Sequence, residues 1–213
     1  MNWKKDLLLR SALYVIIDRE VSKDQSISDL ALQLRTARVG VVQLRDKVSS
    51  LNVVLEQAKE LSRIFNGSET LFIVNDYVDI ALRSGADGVH IGQSDCGLQQ
   101  ARELLGTEAV IGVSCSNLSQ AINAQSRGAD YLGVGPVFPT ATKKCSSFCN
   151  LELFSSLREC VKLPFFAIGG INLGNLAGLK SAGIDKFAVC SAVCSAVEPR
   201  EAALKLIGLL KNE

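Results

Sequence analysis

Residues 71–95, LFIVNDYVDIALRSGADGVHIGQSD, hold two strands and the helix between them. Leu71-Phe72-Ile73-Val74-Asn75 reads as a buried strand that ends on Asn75-Asp76. Val78, Ala81 and Leu82 follow at helical spacing, Gly85 breaks the pattern, and Gly88-Val89-His90-Ile91 opens a second apolar run. That run ends on Gly92-Gln93-Ser94-Asp95. A right-handed crossover between parallel strands puts both C-terminal ends on one edge of the sheet. Each strand releases an aspartate just past that edge. Asp76 and Asp95 can therefore face each other, which makes them a candidate metal site.

The same order repeats on both sides of this unit. Strands are expected at 13–18, 41–44, 71–75, 88–91, 110–113, 131–134, 165–168 and 186–189. Helical patterns fill the gaps at 28–38 (with Ser28 as N-cap), 51–65, 98–105, 118–127, 151–160, 173–182 and 200–211. Three gaps finish alike, on Gly85-Ala86-Asp87, Gly128-Ala129-Asp130 and Gly183-Ile184-Asp185. A glycine just past a helix, then a polar residue before a strand, is the helix-to-strand turn of an α/β repeat. No Pro- or Ser-rich linker divides the chain. Eight strands alternating with helices predict a single (β/α)8 TIM-barrel domain over residues 1–213. A doubly wound open sheet is the alternative, and it would use five or six strands.

The composition suits that architecture. The chain has 213 residues, 47% of them hydrophobic, and a mean hydropathy of +0.21, as expected when strands are covered on both faces. A net charge of +1 gives no electrostatic argument for nucleic acid or an acidic membrane as partner. Leu7-Leu8-Leu9 near the start is interrupted by Asp6 and Arg10, unlike a secretory signal, and no segment has the length of a membrane span. Seven cysteines without CxxC spacing, and a single histidine, fit neither a disulfide framework nor a Cys/His zinc site. A reducing, cytoplasmic location follows.

Reactive groups of such a barrel lie just past the strand ends. Gln43, Arg45 and Lys47 share one face if the second strand persists that far, and two cations there call for an anion. The plainer reading is an exposed, solvated loop. Asp76 and Asp95 taken singly read as helix caps; taken as a pair beside cations they read as an Mg2+ site, since magnesium takes one or two carboxylates. Gly169-Gly170 and Cys190-Ser191 stand where barrels hold a phosphate, against a plain tight turn. Thr140, Thr142 and Lys143 lie on the long loop after the sixth strand, a length that marks function. His90, inside a strand, reads as structural.

Together, QLRDK (43–47), ND (75–76), HIGQSD (90–95), GVS (112–114), GPVFPTATKK (135–144), IGGI (168–171) and CSA (190–192) resemble the thiamine phosphate synthase family, in order and over almost the whole chain. The resemblance implies a Mg2+-dependent transferase that joins a pyrimidine diphosphate to a thiazole phosphate and releases pyrophosphate. It implies that Gln43, Arg45, Lys47 and Asn75 hold the pyrimidine diphosphate, with Lys143 on its pyrophosphate and Ser114 on the pyrimidine. It assigns Mg2+ to Asp76 and Asp95, and the thiazole phosphate to Thr140, Thr142, Gly170, Cys190 and Ser191. Arg45, Lys47, Lys143 and the metal exceed the two aspartates by about three charges, the charge of a diphosphate ester. A homo-oligomer is compatible with the sequence. Ser116 stands where many members have a histidine, which counts against the related thiazole tautomerase. A non-catalytic sensor of a thiamine precursor should have lost a cation or a carboxylate, and the chain keeps them all.

Overall fold

The computed structural model describes residues 2–22, 25–140 and 148–211. Eight parallel strands close into a barrel in chain order. They are β1 (Leu13–Asp18), β2 (Val41–Arg45), β3 (Leu71–Asn75), β4 (Gly88–Ile91), β5 (Val110–Cys115), β6 (Tyr131–Val134), β7 (Phe165–Ile168) and β8 (Phe187–Val189). β1 pairs with β2 on one side and with β8 on the other, which seals the ring. Before β1 comes α1 (Trp3–Arg10). The crossovers carry α2 (Ile27–Thr36), α3 (Leu51–Phe65), α4 (Val78–Ser84), α5 (Leu98–Leu105), α6 (Leu118–Ser126), α7 (Leu151–Cys160) and α8 (Leu176–Ser181). After β8 come α9 (Ser191–Cys194) and α10 (Pro199–Lys211). The expected (β/α)8 barrel is the observed fold. Among the described residues, no helix is long and apolar enough to cross a membrane.

Alternation along the strands divides the apolar side chains into two cores. Leu13, Val15 and Ile17 of β1 point to the helices with Val42, Leu44, Phe72 and Val74. Tyr14 and Ile16 point inward with Val41, Leu71, Ile73, Val110, Tyr131, Phe166 and Ala188. This is why the strands read as continuous apolar runs: both faces are buried.

The glycines of the three repeated turns have positive φ, 71° at Gly85, 89° at Gly128 and 83° at Gly183, as the helix-to-strand turn requires. Two of the aspartates that follow do more than mark the turn. Asp87 Oδ2 accepts from the Phe72 N–H at 2.9 Å, and Asp130 Oδ2 from the Ile111 N–H at 2.8 Å, each clipping its turn to the preceding strand. Their other oxygens meet Lys4 (3.1 Å) and Lys5 (2.8 Å) of α1.

The N-terminal helix was not apparent in the sequence, because its apolar run is short and flanked by charge. Leu7 and Leu8 are nonetheless buried against the inner core, closing the end of the barrel where the strands begin. Smaller differences have local causes. β2 reaches Arg45 and β5 reaches Cys115, each past its expected end, while β8 begins one residue late. Ser26, not Ser28, caps α2, its side chain accepting from the Asp29 N–H at 3.2 Å. α8 starts late because Asn172 and Asn175 bond each other in a turn: Asn175 Oδ1 accepts from the Asn172 N–H at 2.8 Å. Cys190-Ser191 leads directly into α9, a single turn.

Gly112 leaves the hollow that Tyr131 fills. The two are register partners on β5 and β6, and a Cβ on Gly112 would lie 2.0 Å from Tyr131 Cζ. Gly112→Ala must therefore displace a fully buried ring, and we expect it to cost about 1–3 kcal/mol of stability. A lowered denaturant midpoint with an unchanged slope would show this. An alanine variant as stable as the wild type would mean that the ring has room to move.

Candidate active site

The strand ends enclose a cavity of about 770 Å³. It brings together eleven of the residues singled out in the sequence. Gln43 and Arg45 come from β2, with Lys47 two residues beyond. Asn75 ends β3 and Asp76 follows it, Asp95 follows β4, and Ser114 is on β5. Thr140 follows β6, Gly170 follows β7, and Cys190 and Ser191 follow β8. Thr142 and Lys143, also expected here, lie outside the described residues.

Each described cation of the expected anion site is already paired with a carboxylate. Arg45 Nη1 contacts Asp18 Oδ2. Asp18 is 1% exposed, and its other oxygen accepts from the Glu20 N–H at 2.9 Å, so the carboxylate is fixed on both sides. Asp18 was missing from the charge count above and lowers the positive excess by one. Lys47 Nζ contacts Asp76 Oδ2.

Asp76 is unusual in its backbone and in its carboxyl group. Its φ of 63° lies in the left-handed region, which aspartate tolerates better than most residues. Its N–H donates to the His90 carbonyl at 2.8 Å, tying the end of β3 to β4. Neither aspartate is a helix cap: Tyr77 caps α4 and Gly97 caps α5. Asp76 Oδ2 is buried and, apart from the ion pair with Lys47, has no hydrogen-bond partner. Burial raises the Asp76 carboxyl above the usual carboxylate range; Lys47 opposes this, and the neighbouring Asp95 carboxylate adds to it. Asp95 Oδ2 accepts from the Gly92 N–H at 2.7 Å. Two like charges beside an under-bonded oxygen suit a hard divalent cation, and the Lys47 ammonium takes part of that role here. Among the described residues no third His, Cys, Asp or Glu completes a larger cluster.

Gly169 and Gly170 do have positive φ, 104° and 63°. A Cβ on Gly170 would lie 2.4 Å from the Pro139 carbonyl oxygen, so the glycine also lets the loop after β6 approach. The tight-turn reading therefore holds, and the same turn borders the cavity. Contact with the Cys194 thiol, and then burial, raises the Cys190 thiol far above its ordinary value. It lines the wall as a neutral group.

Sequence reasoning missed the middle of the site. Gln43 Nε2 donates to Tyr14 Oη at 2.7 Å, Tyr14 Oη meets Tyr131 Oη at 2.9 Å, and Tyr131 Oη meets His90 Nδ1 at 3.0 Å. His90 Nε2 then meets Ser114 Oγ at 2.9 Å. His90, read above as structural only, lines the cavity, as do both tyrosines. Two clues were present: Tyr14 lies on the inward face of its strand, and Gly112 leaves space inside the barrel.

The model of the family described as "Thiamine monophosphate synthase" matches residues 13–193. The chain is 41% identical over 201 residues to the thiamine-phosphate synthase of Methanocella arvoryzae, covering 94% of this chain and 95% of the relative. It is 38% identical over 207 residues to that of Prochlorococcus marinus, covering 97% of this chain but 59% of that longer protein. Among solved structures, the thiamine phosphate pyrophosphorylase of Pyrococcus furiosus superposes with a TM-score of 0.85 at 34% identity, covering 99% of this chain and 98% of that one.

The raised Asp76 carboxyl makes a prediction for the metal-free protein. A carboxyl raised on folding contributes its stability below the ordinary aspartate range and loses it as pH rises through the folded value. Asp76→Asn imitates the protonated form. It should be more stable than the wild type at neutral pH, with the gap closing in acid. Equal denaturation midpoints at both pH values would show that Lys47 fully compensates the buried charge.

Proposed function

The chain belongs to the thiamine monophosphate synthase family, and on that footing we propose that it condenses the diphosphate of 4-amino-2-methyl-5-hydroxymethylpyrimidine with thiazole phosphate. The products are thiamine phosphate and pyrophosphate. It is a transferase of thiamine biosynthesis. The observation that carries the choice of substrates is the rim of the barrel, where Arg45 and Lys47 stand beside the paired carboxylates Asp76 and Asp95 in one enclosed cavity.

The bond from the pyrimidine methylene carbon to the diphosphate oxygen breaks, pyrophosphate leaves, and the thiazole nitrogen captures the carbocation. Such a step needs charge stabilisation at the leaving group more than a base. Arg45, held in place by Asp18, offers a planar fork to a phosphate, and Lys47 a mobile point charge. Lys143 is assigned to the same pyrophosphate. Asp76 and Asp95 would hold Mg2+, which supplies positive charge to the phosphate oxygens when bound. Gln43, Asn75 and Ser114 take the pyrimidine. Thr140, Thr142, Gly170, Cys190 and Ser191 take the thiazole phosphate. The closed wall of the barrel shields the cation from water on all sides but the mouth. We further place the protein in the cytoplasm as one barrel domain. Its six described cysteines are all free thiols, as a reducing compartment allows.

Pyrophosphate release should require both substrates together with Mg2+ and stop on chelation. Asp76→Asn and Asp95→Asn should each lower turnover by roughly 10²-fold or more while leaving the circular dichroism spectrum unchanged. Full activity in either variant, or in metal-free buffer, would remove the magnesium assignment. With Ser116 on the β5 loop and no histidine there, thiazole tautomerase activity should be absent.

A further inference from the structure

The chain of hydrogen bonds through the barrel interior runs from Gln43 on β2, through Tyr14, Tyr131 and His90, to Ser114 on β5. Both ends line the same cavity. Every member except the end groups is committed to two partners within the chain, so the direction of one bond sets the direction of the next. Burial raises both phenols well beyond the ordinary tyrosine range, so each keeps its single hydrogen.

The direction follows from the amide. Gln43 presents Nε2, a donor, to Tyr14 Oη. Tyr14, having accepted, gives its hydrogen to Tyr131, and Tyr131 gives its own to His90 Nδ1. A bare Nδ1 puts the ring hydrogen on Nε2, which then donates to Ser114 Oγ. With the amide as it stands, reversing any one bond leaves a buried O–H without an acceptor, at a cost well above that of a satisfied pair. A doubly protonated ring does the same, since a protonated Nδ1 cannot accept and would leave the Tyr131 O–H without an acceptor.

We infer that Tyr14 and Tyr131 are positioning residues that hold His90 as its Nε2–H tautomer, so that Ser114 turns its hydroxyl hydrogen, and Gln43 its amide oxygen, to the ligand. The cavity then offers a donor on β5 and an acceptor on β2. The ligand matched to that pair is a heteroaromatic ring with an unprotonated ring nitrogen and an amino N–H. A ring bearing a carbonyl and N–H in those places would meet donor with donor. For the aminopyrimidine this rests on the function proposed above; the state of His90 does not.

One histidine in the chain makes the test direct. Untagged, 15N-labelled protein without ligand should show a protonated Nε2 and a bare Nδ1 in its imidazole spectrum near neutral pH. A bare Nε2 overturns the inference and means that the Gln43 amide is turned over; an imidazolium overturns it as well. Tyr131→Phe keeps the ring in the hollow at Gly112 and removes the donor to Nδ1. It should move the spectrum towards mixed tautomers. It should also raise KM for the pyrimidine diphosphate roughly five- to ten-fold, leaving KM for the thiazole phosphate unchanged. An unmoved tautomer, or both KM values rising together, overturns the positioning role. A protein that releases no pyrophosphate fails the proposed reaction instead, and the ligand-free spectrum still decides the direction of the chain.

Discussion

Two phenol hydroxyls in the middle of a closed barrel must find hydrogen-bond partners inside it, and much of this site follows from that need. Tyr14 and Tyr131 are fully buried and pack against Phe166, with ring centroids 5.3 and 5.8 Å away. The rings supply the apolar area that fills the interior. Their polar tips cannot be left bare in that surrounding. Gln43 and His90 meet them, and those two residues carry the polarity up to the mouth of the cavity. The cavity-lining residues Gln43 and Ser114 are thus the outer ends of a network whose centre is part of the core.

Charge at the rim is arranged on a similar principle. Each cation described there has an acidic partner, so the empty cavity is far less positive than its cations alone would make it. The two pairs are not equivalent. Asp18 is bound by backbone N–H groups and cannot follow a ligand, so Arg45 is held in one place. Lys47 is more exposed, 42% against 19% for Arg45, and among the described residues its partner Asp76 is not fixed by backbone donors to its carboxylate, so this pair is the freer of the two. One cation is fixed, and the other is free to move.

The barrel was legible in the sequence because each strand is short, apolar and followed by a turn with its own chemistry. The glycines at 85, 128 and 183 mark helix ends through a backbone requirement that holds locally. The rim was legible for a related reason: polar residues directly after apolar runs can only lie at strand ends. The interior relay was not. Tyr14, Tyr131 and His90 look like ordinary strand residues, and their meeting depends on the stagger between strands, which pairs Gly112 with Tyr131. Asp18 escaped notice because it closes a strand without any neighbouring motif. α1 escaped because its apolar run is only Leu7-Leu8-Leu9 between charges, and the two leucines it buries meet an inner core that exists only once the barrel is closed.

A second long-range tie of α1 bears on the order in which the chain can assemble. Lys186, just before β8, donates from Nζ to the carbonyls of Leu9 and Ser11 at 2.6 and 2.9 Å, across 177 and 175 positions of sequence. α1, which precedes β1 in the chain, therefore cannot complete its contacts until the segment leading into β8 is in place. Leu7 and Leu8 pack on inner-core residues contributed by strands from β1 to β8, so their burial is complete only when the barrel is. Ring closure, through the pairing of β8 with β1, and the Lys186 bonds to α1 come from the same stretch of chain, so the two long-range events are coupled.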